Sequence, residues 1–198
     1  TIYQDFLHSE GIVTDSRKVK PGALFIALKG PSFNGNHFVK QALDAGAVVA
    51  VADEPPGFGD DRIRVVANSL TTLQDLARLH RKNMNIPVIG ITGTNGKTTT
   101  KELVYEVLSR KFNTLATSGN LNNHIGVPLS ILEIAPNHEM AVIEMGANHP
   151  GEIHQLCTIA QPEYGLITNI GKAHLEGFGS YEGVIQTKTE LYRYLDQK

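Results

Sequence analysis

The sequence has one cysteine, few charged residues and no long apolar run. Cys157 is the single cysteine among 198 residues, which excludes an internal disulfide framework and favours a reducing compartment. Charged residues make up 19% of the chain and the formal net charge is -2, which argues against a broad basic surface for nucleic acid. No segment approaches the roughly 20 apolar residues of a membrane-spanning helix, and the N-terminal segment does not resemble a signal peptide. We therefore expect a soluble, cytoplasmic protein that binds no nucleic acid, does not insert into a membrane and holds any polyanion at a local site.

The pattern of apolar and turn residues favours two α/β domains. With 41% hydrophobic residues, the chain is long enough to bury one large or two small cores. Residues 1–82 combine short apolar runs, turns and a helical pattern, which predicts a small N-terminal α/β domain. In residues 83–198 apolar strands alternate with helical stretches, which predicts a mainly parallel sheet with helices on both faces. Because the sequence begins at Thr1 rather than at Met and ends inside a helical pattern, we expect it to be part of a longer protein.

A glycine-rich segment follows the first apolar run of the second domain. The sequence GITGTNGKTTTKE, from Gly90 to Glu102, comes directly after PVI and opens into a helical pattern. In such an arrangement backbone N–H groups and a helix N-terminus bind phosphates, a lysine adds charge, and a hydroxyl binds Mg²⁺. The core GTNGKTT departs from the general P-loop spacing, and an ordinary glycine turn with a solvated lysine is the alternative. We expect a P-loop-type domain whose nucleotide-binding residues are Gly93, Thr94, Asn95, Gly96, Lys97, Thr98 and Thr99.

Three further side chains could complete a metal and phosphate site. Glu144 ends the apolar run MAVIE, and His174 follows the run YGLITNIG, so both are expected near the carboxyl ends of strands. Lys188 lies at the centre of an apolar stripe if residues 181–195 form one helix, and a partly neutral buried lysine can react or be modified beside a metal. The alternatives are a strand-end surface acid, a solvated loop histidine, and a lysine whose stem carries its ammonium group to the rim.

With these residues in place, the chain resembles the Mur ligases, the ATP-dependent amide-bond enzymes of peptidoglycan precursor synthesis. The resemblance covers essentially the whole chain. Within the family, the segment GNLNNHIGVP resembles the corresponding segment of the ligase that adds D-alanyl-D-alanine to UDP-N-acetylmuramoyl-tripeptide. The segments that carry the resemblance are TDSRKVKPGALFIALKG, GITGTNGKTTTKE, TSGNLNNHIGVPLSIL, AVIEMGANHPGEI and AHLEGFGSYEGVIQTKTEL.

The resemblance implies ATP and Mg²⁺ as cofactors and assigns roles to the residues above. It implies that Lys97 contacts the transferred phosphoryl group, and that Thr98, Glu144 and His174 surround the metal. It also implies that Lys188 carries a carbamate, which would make it an anionic ligand beside the metal, and that catalysis depends on Lys97, His174 and Lys188.

The resemblance also implies where the substrates bind. Asn120, Asn122 and Asn123 would lie near the acceptor, although loop asparagines that only cap a helix look the same. In the first domain the residues expected to hold the UDP end of the substrate are Asp15, Ser16, Arg17, Lys29 and Gly30.

Mur ligases have three domains, and the resemblance covers the first and part of the central one. We therefore expect this chain to be inactive in ligation by itself. We also expect a monomer. The alternatives are a sister ligase that adds a diamino acid to the dipeptide precursor, and a non-catalytic module that binds a nucleotide or a UDP-sugar. The presence of Lys97, Glu144, His174 and Lys188 together argues against the module, because a pure binder does not need the metal-binding set.

Overall fold

The computed structural model describes residues 1–171 and 175–197, with only the backbone of Leu175. It divides into two compact units, Thr1–Leu76 and Ala77–Lys198, and the boundary falls inside the helix Ser69–Asn83. The predicted boundary after residue 82 lies at the end of the same helix, and the division into domains 1–82 and 83–198 stays a prediction. No helix among the described residues is long and apolar enough to cross a bilayer.

The first unit is built on a parallel sheet. Strands β1, β2, β5 and β6 lie side by side in that order and pair in parallel, while β3 and β4 form a separate antiparallel pair. The elements are α1 (Ile2–Leu7), β1 (Ile12–Val13), β2 (Leu24–Ile26), β3 (Lys29–Gly30), β4 (Phe33–Asn34), α2 (Val39–Asp44), β5 (Val49–Ala52), β6 (Ile63–Val65) and α3 (Ser69–Asn83), with short 3₁₀ turns at Ser16–Lys18 and Gly35–Phe38.

The core of this unit is formed by α2 and the two central strands. Every residue of β2 and β5 is buried, as expected for parallel strands with both faces covered. Phe25, Val39 and Leu43 pack together with a set of small alanines that includes Ala50 and Ala52. The apolar runs read from the sequence therefore correspond to the strands and helix that hold this unit together.

The second unit carries another parallel sheet, in the order β10-β7-β9-β8. The predicted fold class, a mixed α/β chain with mainly parallel sheets, is confirmed. The elements are β7 (Val88–Thr92), α4 (Lys97–Leu108), β8 (Thr114–Ala116), α5 (Gly126–Leu132), β9 (Met140–Glu144), α6 (Glu152–Ala160), β10 (Tyr164–Ile167), α7 (Leu175–Phe178), α8 (Tyr181–Lys188) and α9 (Glu190–Leu195).

Helices cover both faces of this sheet. Ile89 of β7 faces a cavity that it shares with Leu108 of α4. Gly90 points to the opposite face, where an added Cβ would lie 3.3 Å from Leu191 of α9. Because the strands are parallel, their carboxyl ends meet at one edge, where the glycine-rich segment leaves β7 and Glu144 ends β9.

The single helix predicted over residues 181–195 is wrong. The chain forms α8 and α9, separated at Thr189, whose hydroxyl donates to the carbonyl groups of Ile185 at 2.8 Å and Gln186 at 3.1 Å. A hydroxyl that bonds back to the preceding turn competes with the helical pattern and bends the helix. Leu191 of the predicted apolar stripe is buried, but Tyr192 is exposed.

Candidate active site

The segment between β7 and α4 forms a loop that requires glycine at two positions. Gly93 has φ +142°, and a Cβ there would lie 2.1 Å from the hydroxyl oxygen of Thr168. Gly96, with φ +75°, is the N-cap of α4, and this residue supplies no side-chain hydrogen bond to the first N–H groups of the helix. The first N–H groups of α4 are therefore directed at the open end of the loop, where an anion is favoured.

The loop is held from the end of β10. The N–H groups of Thr94 and Asn95 donate to the backbone carbonyl and side-chain Oδ1 of Asn169, both at 3.0 Å. Thr168 donates its hydroxyl to the carbonyl of Asn95 at 2.6 Å. Asn169 is not among the predicted site residues, although, like Glu144, it lies at the carboxyl end of an apolar strand pattern.

Lys97 folds back over the loop, and its ammonium group bonds to the loop backbone. Its Nζ donates to the carbonyl groups of Gly93 at 2.9 Å and Thr94 at 3.1 Å. Thr98 and Thr99, in the first turn of α4, are exposed. The ammonium charge is therefore fixed beside the open N-terminus of the helix.

Glu144 is a buried carboxylate, not the surface acid considered as an alternative. It is 1% exposed, and its Oε2 accepts a hydrogen bond from the Thr98 hydroxyl at 3.0 Å. Its Oε1 accepts a hydrogen bond from the amide of Asn122 at 2.8 Å. None of the residues that the structure describes forms an ion pair with Glu144. A buried carboxylate without a cationic partner, beside a hydroxyl, is a set of hard oxygen donors suited to Mg²⁺.

Lys188 is also buried, with 3% of its surface exposed, so its stem does not carry the charge to an exposed rim. Its Nζ lies 3.5 Å from the carbonyl oxygen of Ala147 and 5.5 Å from the centre of the Phe178 ring. Burial, and next the charge of Lys97, lower the pKa of Lys188 to about 8. The uncharged amine is therefore more readily formed here than in an exposed lysine.

One cavity brings several of these residues together. It has a volume of about 330 Å³ and lies within the second unit. Both lysines, Lys97 and Lys188, line it, so the glycine loop and α8 face the same space. Its lining includes Gly93, Thr94, Lys97, Asn122, Asn123 and Lys188.

The three predicted asparagines have different surroundings. Asn122 lines the cavity and bonds to Glu144. Asn123 also lines the cavity, but its Oδ1 accepts from the N–H groups of Ile125 and Gly126 at the start of α5, as the helix-capping alternative proposes. Asn120 is exposed and does not line the cavity.

The predicted histidine, His174, lies outside the described residues. Among the residues that are described, no group of three or more His, Cys, Asp or Glu side chains is arranged to hold a metal.

In the first unit, Asp15 and Arg17 bind each other. The Arg17 guanidinium donates to both carboxylate oxygens of Asp15, at 2.9 and 2.8 Å, and these bonds lower the pKa of Asp15 to about 2. The Arg17 side chain is 82% exposed. Ser16 lies between them, with its hydroxyl 3.5 Å from Oε1 of Gln41.

Lys29 forms ion pairs with two carboxylates of the first unit. Its Nζ lies 2.8 Å from Glu54 and 3.1 Å from Asp53, and hydrogen bonds to these carboxylates raise the pKa of Lys29. Gly30 lies under the ring of Phe33, because an added Cβ would lie 2.2 Å from a ring carbon. Both residues are in β3, which follows β2 and its carboxyl end.

Comparison with known proteins identifies two family regions. Residues 8–93 match the family described as "Mur ligase family, catalytic domain", and residues 91–198 match the "Mur ligase middle domain". The UDP-N-acetylmuramoyl-tripeptide–D-alanyl-D-alanine ligase of Bacillus subtilis (strain 168) is 42% identical over 189 residues, which is 94% of this chain and 41% of the relative.

Solved structures of high similarity carry the same fold. A crystal structure of MurF from Acinetobacter baumannii has a TM-score of 0.89 and 39% identity, and the match covers 98% of this chain and 45% of that one. MurF from Thermotoga maritima in complex with ADP has a TM-score of 0.87 and 41% identity, over 96% of this chain and 44% of the other. The chain spans about two fifths of the length of the curated relatives it matches.

Proposed function

Because this chain belongs to the Mur ligase family, we propose that its protein is a cytoplasmic, ATP-dependent and ADP-forming ligase that joins D-alanyl-D-alanine to UDP-N-acetylmuramoyl-tripeptide. The observation that carries the proposal is the cavity in which the glycine loop, Lys97 and buried Lys188 face each other, with Asn122 linking it to Glu144. Support for the substrates comes from relatives of about 40% identity, which are named for this reaction. The protein would act in peptidoglycan precursor synthesis.

The glycine loop is proposed to bind the phosphates of ATP. The uncapped N–H groups of α4 and the ammonium of Lys97 supply positive charge at one point, with no basic surface elsewhere required. Asn169 already holds the N–H groups of Thr94 and Asn95, so little reorganisation of the loop is needed on binding. The remaining residues of this proposed set are Gly93, Gly96, Thr98 and Thr99.

Thr98 and Glu144 are proposed to hold Mg²⁺. Their oxygens lie 3.0 Å apart and Glu144 lacks a cationic partner among the described residues, so a hard cation fits this donor set. When bound, Mg²⁺ would neutralise charge on the phosphate oxygens. His174 and a carbamate on Lys188 remain proposals from the family resemblance.

The carbamate on Lys188 has a chemical basis in its burial. A neutral amine adds to carbon dioxide and releases one proton, and the lowered pKa of Lys188 makes the neutral form available. The product would replace an unfavourable buried cation by an anion that can face a metal.

The reaction needs the carboxylate of the peptide to be activated first. An oxygen of the tripeptide's terminal carboxylate attacks the γ-phosphorus of ATP, the bond to the β-phosphate oxygen breaks, and ADP and an acyl phosphate form. The amine of D-alanyl-D-alanine then attacks the acyl carbon and loses a proton, while phosphate leaves with the electron pair of the C–O bond. Lys97 offsets the negative charge on the transferring group.

The substrate ends are proposed to bind on different units. Asn120, Asn122 and Asn123 are proposed to lie near the acceptor in the second unit. The UDP end is proposed to bind the first unit at Asp15, Ser16, Arg17, Lys29 and Gly30, where Lys29 would have to exchange part of its contact with Asp53 and Glu54. We expect the protein to act as a monomer.

The test follows ADP release by the whole protein that contains this chain, with ATP and UDP-N-acetylmuramoyl-tripeptide. D-Alanyl-D-alanine is expected to support turnover. Omission of D-alanyl-D-alanine or of UDP-N-acetylmuramoyl-tripeptide should abolish ADP release. Turnover only with a UDP-linked dipeptide and a diamino acid would assign the protein to the sister ligase. Nucleotide binding without turnover in either assay would support the non-catalytic module.

A further inference from the structure

Lys101 is a buried cation that the proposed reaction does not use. It lies on α4 one turn after Lys97, with 1% of its surface exposed. Its Nζ donates to the backbone carbonyl of Thr117 at 2.6 Å and lies 2.7 Å from Oε1 of Glu102. The Glu102 side chain is 56% exposed, so this ion pair alone does not require a buried ammonium group. The contact that directs Lys101 into the interior is the one to Thr117.

Thr117 links Lys101 to the carboxylate of the candidate site. It follows β8 and is buried, and its N–H donates to the carbonyl of Val142 at 3.0 Å. Its hydroxyl accepts a hydrogen bond from the N–H of Glu144 at 2.9 Å. Lys101, Thr117 and Glu144 thus form a continuous chain of contacts from the helix after the glycine loop to the end of β9.

Thr117 also directly precedes the loop 118–125, here called the asparagine loop. Within this loop Asn122 donates to Glu144 at 2.8 Å, and its carbonyl accepts from the N–H of Gly146 at 2.7 Å. Asn122 and Asn123 line the cavity. The start of the loop is therefore fixed by the contact of Lys101 with Thr117, and its middle by the contacts of Asn122 with the end of β9.

We propose that Lys101 is a positioning residue for the metal and acceptor end of the site. By holding Thr117 against α4, it keeps the Glu144 carboxylate opposite the Thr98 hydroxyl and keeps the asparagine loop along the cavity. The inference rests on the proposed function, because Thr98 and Glu144 are the groups proposed to hold Mg²⁺. Without the ammonium group, α4 and the end of β8 lose the hydrogen bond that joins them.

The stability of the fold does not account for a lysine here. Burying an ammonium group is unfavourable, and because the Glu102 side chain is 56% exposed, an apolar residue at position 101 would leave that carboxylate solvated rather than buried and unpaired. Lys101→Met keeps an unbranched side chain of similar length and removes the donor. This variant is therefore expected to fold while losing the contact to Thr117.

The test is the affinity of the whole protein for Mg²⁺, measured by isothermal titration with a non-hydrolysable ATP analogue present, together with the Mg²⁺ dependence of ADP release. Lys101→Met is expected to raise the Mg²⁺ concentration for half-maximal rate roughly tenfold or more, as for other residues that orient metal ligands. The kcat should fall, and the KM for the UDP-linked substrate should stay within about twofold. Glu102→Gln is the matched control, because it removes the other partner of the ammonium group, and its Mg²⁺ dependence should equal that of the wild type.

The outcomes separate this inference from the proposed function. Normal Mg²⁺ dependence in folded Lys101→Met overturns the inference alone, and so does an equal loss in Glu102→Gln, which would trace the effect to the ion pair. If Lys101→Met does not fold, Lys101→Gln is measured against the same criterion. A wild-type protein without D-alanyl-D-alanine-dependent turnover overturns the proposed function and this inference together.

Discussion

At the scale of single residues, the charge of Lys97 is the most direct target. Lys97→Ala removes the ammonium group beside the open N-terminus of α4, and kcat is expected to fall at least about a hundredfold, as when one stabilising donor of a transition state is lost. Binding of the UDP-linked substrate should be largely unchanged, which isothermal titration can measure. The exposed Lys111→Ala is the control. Loss of both turnover and substrate binding would contradict the separate roles proposed for the two units.

The burial of Lys188 predicts a covalent modification. After incubation with ¹³C-labelled bicarbonate, we expect a carbamate carbon signal in the NMR spectrum of the whole protein. Because only the neutral amine reacts and the pKa of Lys188 is lowered to about 8, the signal should grow as the pH rises from about 6 to about 8. Lys188→Met should abolish it. A folded protein without the signal would exclude the carbamate under these conditions.

Asp53 is predicted to make the stability of the first unit dependent on pH. Burial by itself raises the pKa of Asp53, but hydrogen bonds from Asn36, Lys29 and the Ser69 N–H outweigh it and leave the pKa below its ordinary value. A carboxyl whose folded pKa is depressed stabilises the fold above the unfolded pKa of about 3.9, and this contribution is lost as the pH falls through the folded pKa.

Asp53→Asn should therefore lower the free energy of unfolding by about 1–3 kcal/mol at neutral pH, and by progressively less in acid. Urea unfolding at several pH values measures the difference. Asp44→Asn, which breaks the exposed pair with Lys40, is the control and should change stability by less than about 1 kcal/mol. Equal effects of the two substitutions would show that the Asp53 contacts add nothing beyond a surface ion pair.

At the scale of elements, two paired glycines set how closely α9 approaches the sheet. Gly90 and Gly165 are register partners on β7 and β10, and an added Cβ at Gly165 would lie 2.6 Å from Leu195 and 3.0 Å from Leu191. Valine has the higher strand propensity, worth up to about 1 kcal/mol. Overpacking costs about 1–3 kcal/mol, so we expect the steric effect to win.

Gly165→Val is thus predicted to lower the unfolding midpoint, measured by thermal denaturation. Gly59→Val is the comparison, because no atom lies within 4 Å of a Cβ added at that exposed glycine. A Gly165→Val variant as stable as the wild type would mean that α9 can shift without a loss of stability. The position of Lys188 on the preceding helix should then be compared with that in the wild type.

Periodicity predicted most elements but missed those that depend on single contacts. The alternation of strands and helices from β7 to β10 was read correctly, because long apolar runs and helical stripes are local signals. The strand β1 and the β3–β4 pair were not predicted, because two residues are too few to show a periodic pattern. The break at Thr189 escaped because it depends on one hydroxyl that bonds to the preceding turn.

At the scale of the whole molecule, the relatives are more than twice as long as this chain. We predict that residues 1–198 alone do not catalyse ligation, because more than half of the length of the relatives lies outside the matched segment. The measurement is ADP formation by the purified chain with ATP, UDP-N-acetylmuramoyl-tripeptide and D-alanyl-D-alanine, with the whole protein as positive control. ADP formation by the chain that depends on D-alanyl-D-alanine would refute the prediction.

The sequence by itself determined the parallel α/β class, the glycine loop and the family resemblance, because each is written in residues that are close together in the chain. Tertiary structure decided which side chains meet: Thr98 with Glu144, Lys101 with Thr117, and Lys188 with the cavity that also contains Lys97. It also decided that Lys29 lies between two carboxylates rather than free in solvent. Local patterns specify elements, whereas contacts between distant residues depend on the register and packing of those elements, which no short segment encodes.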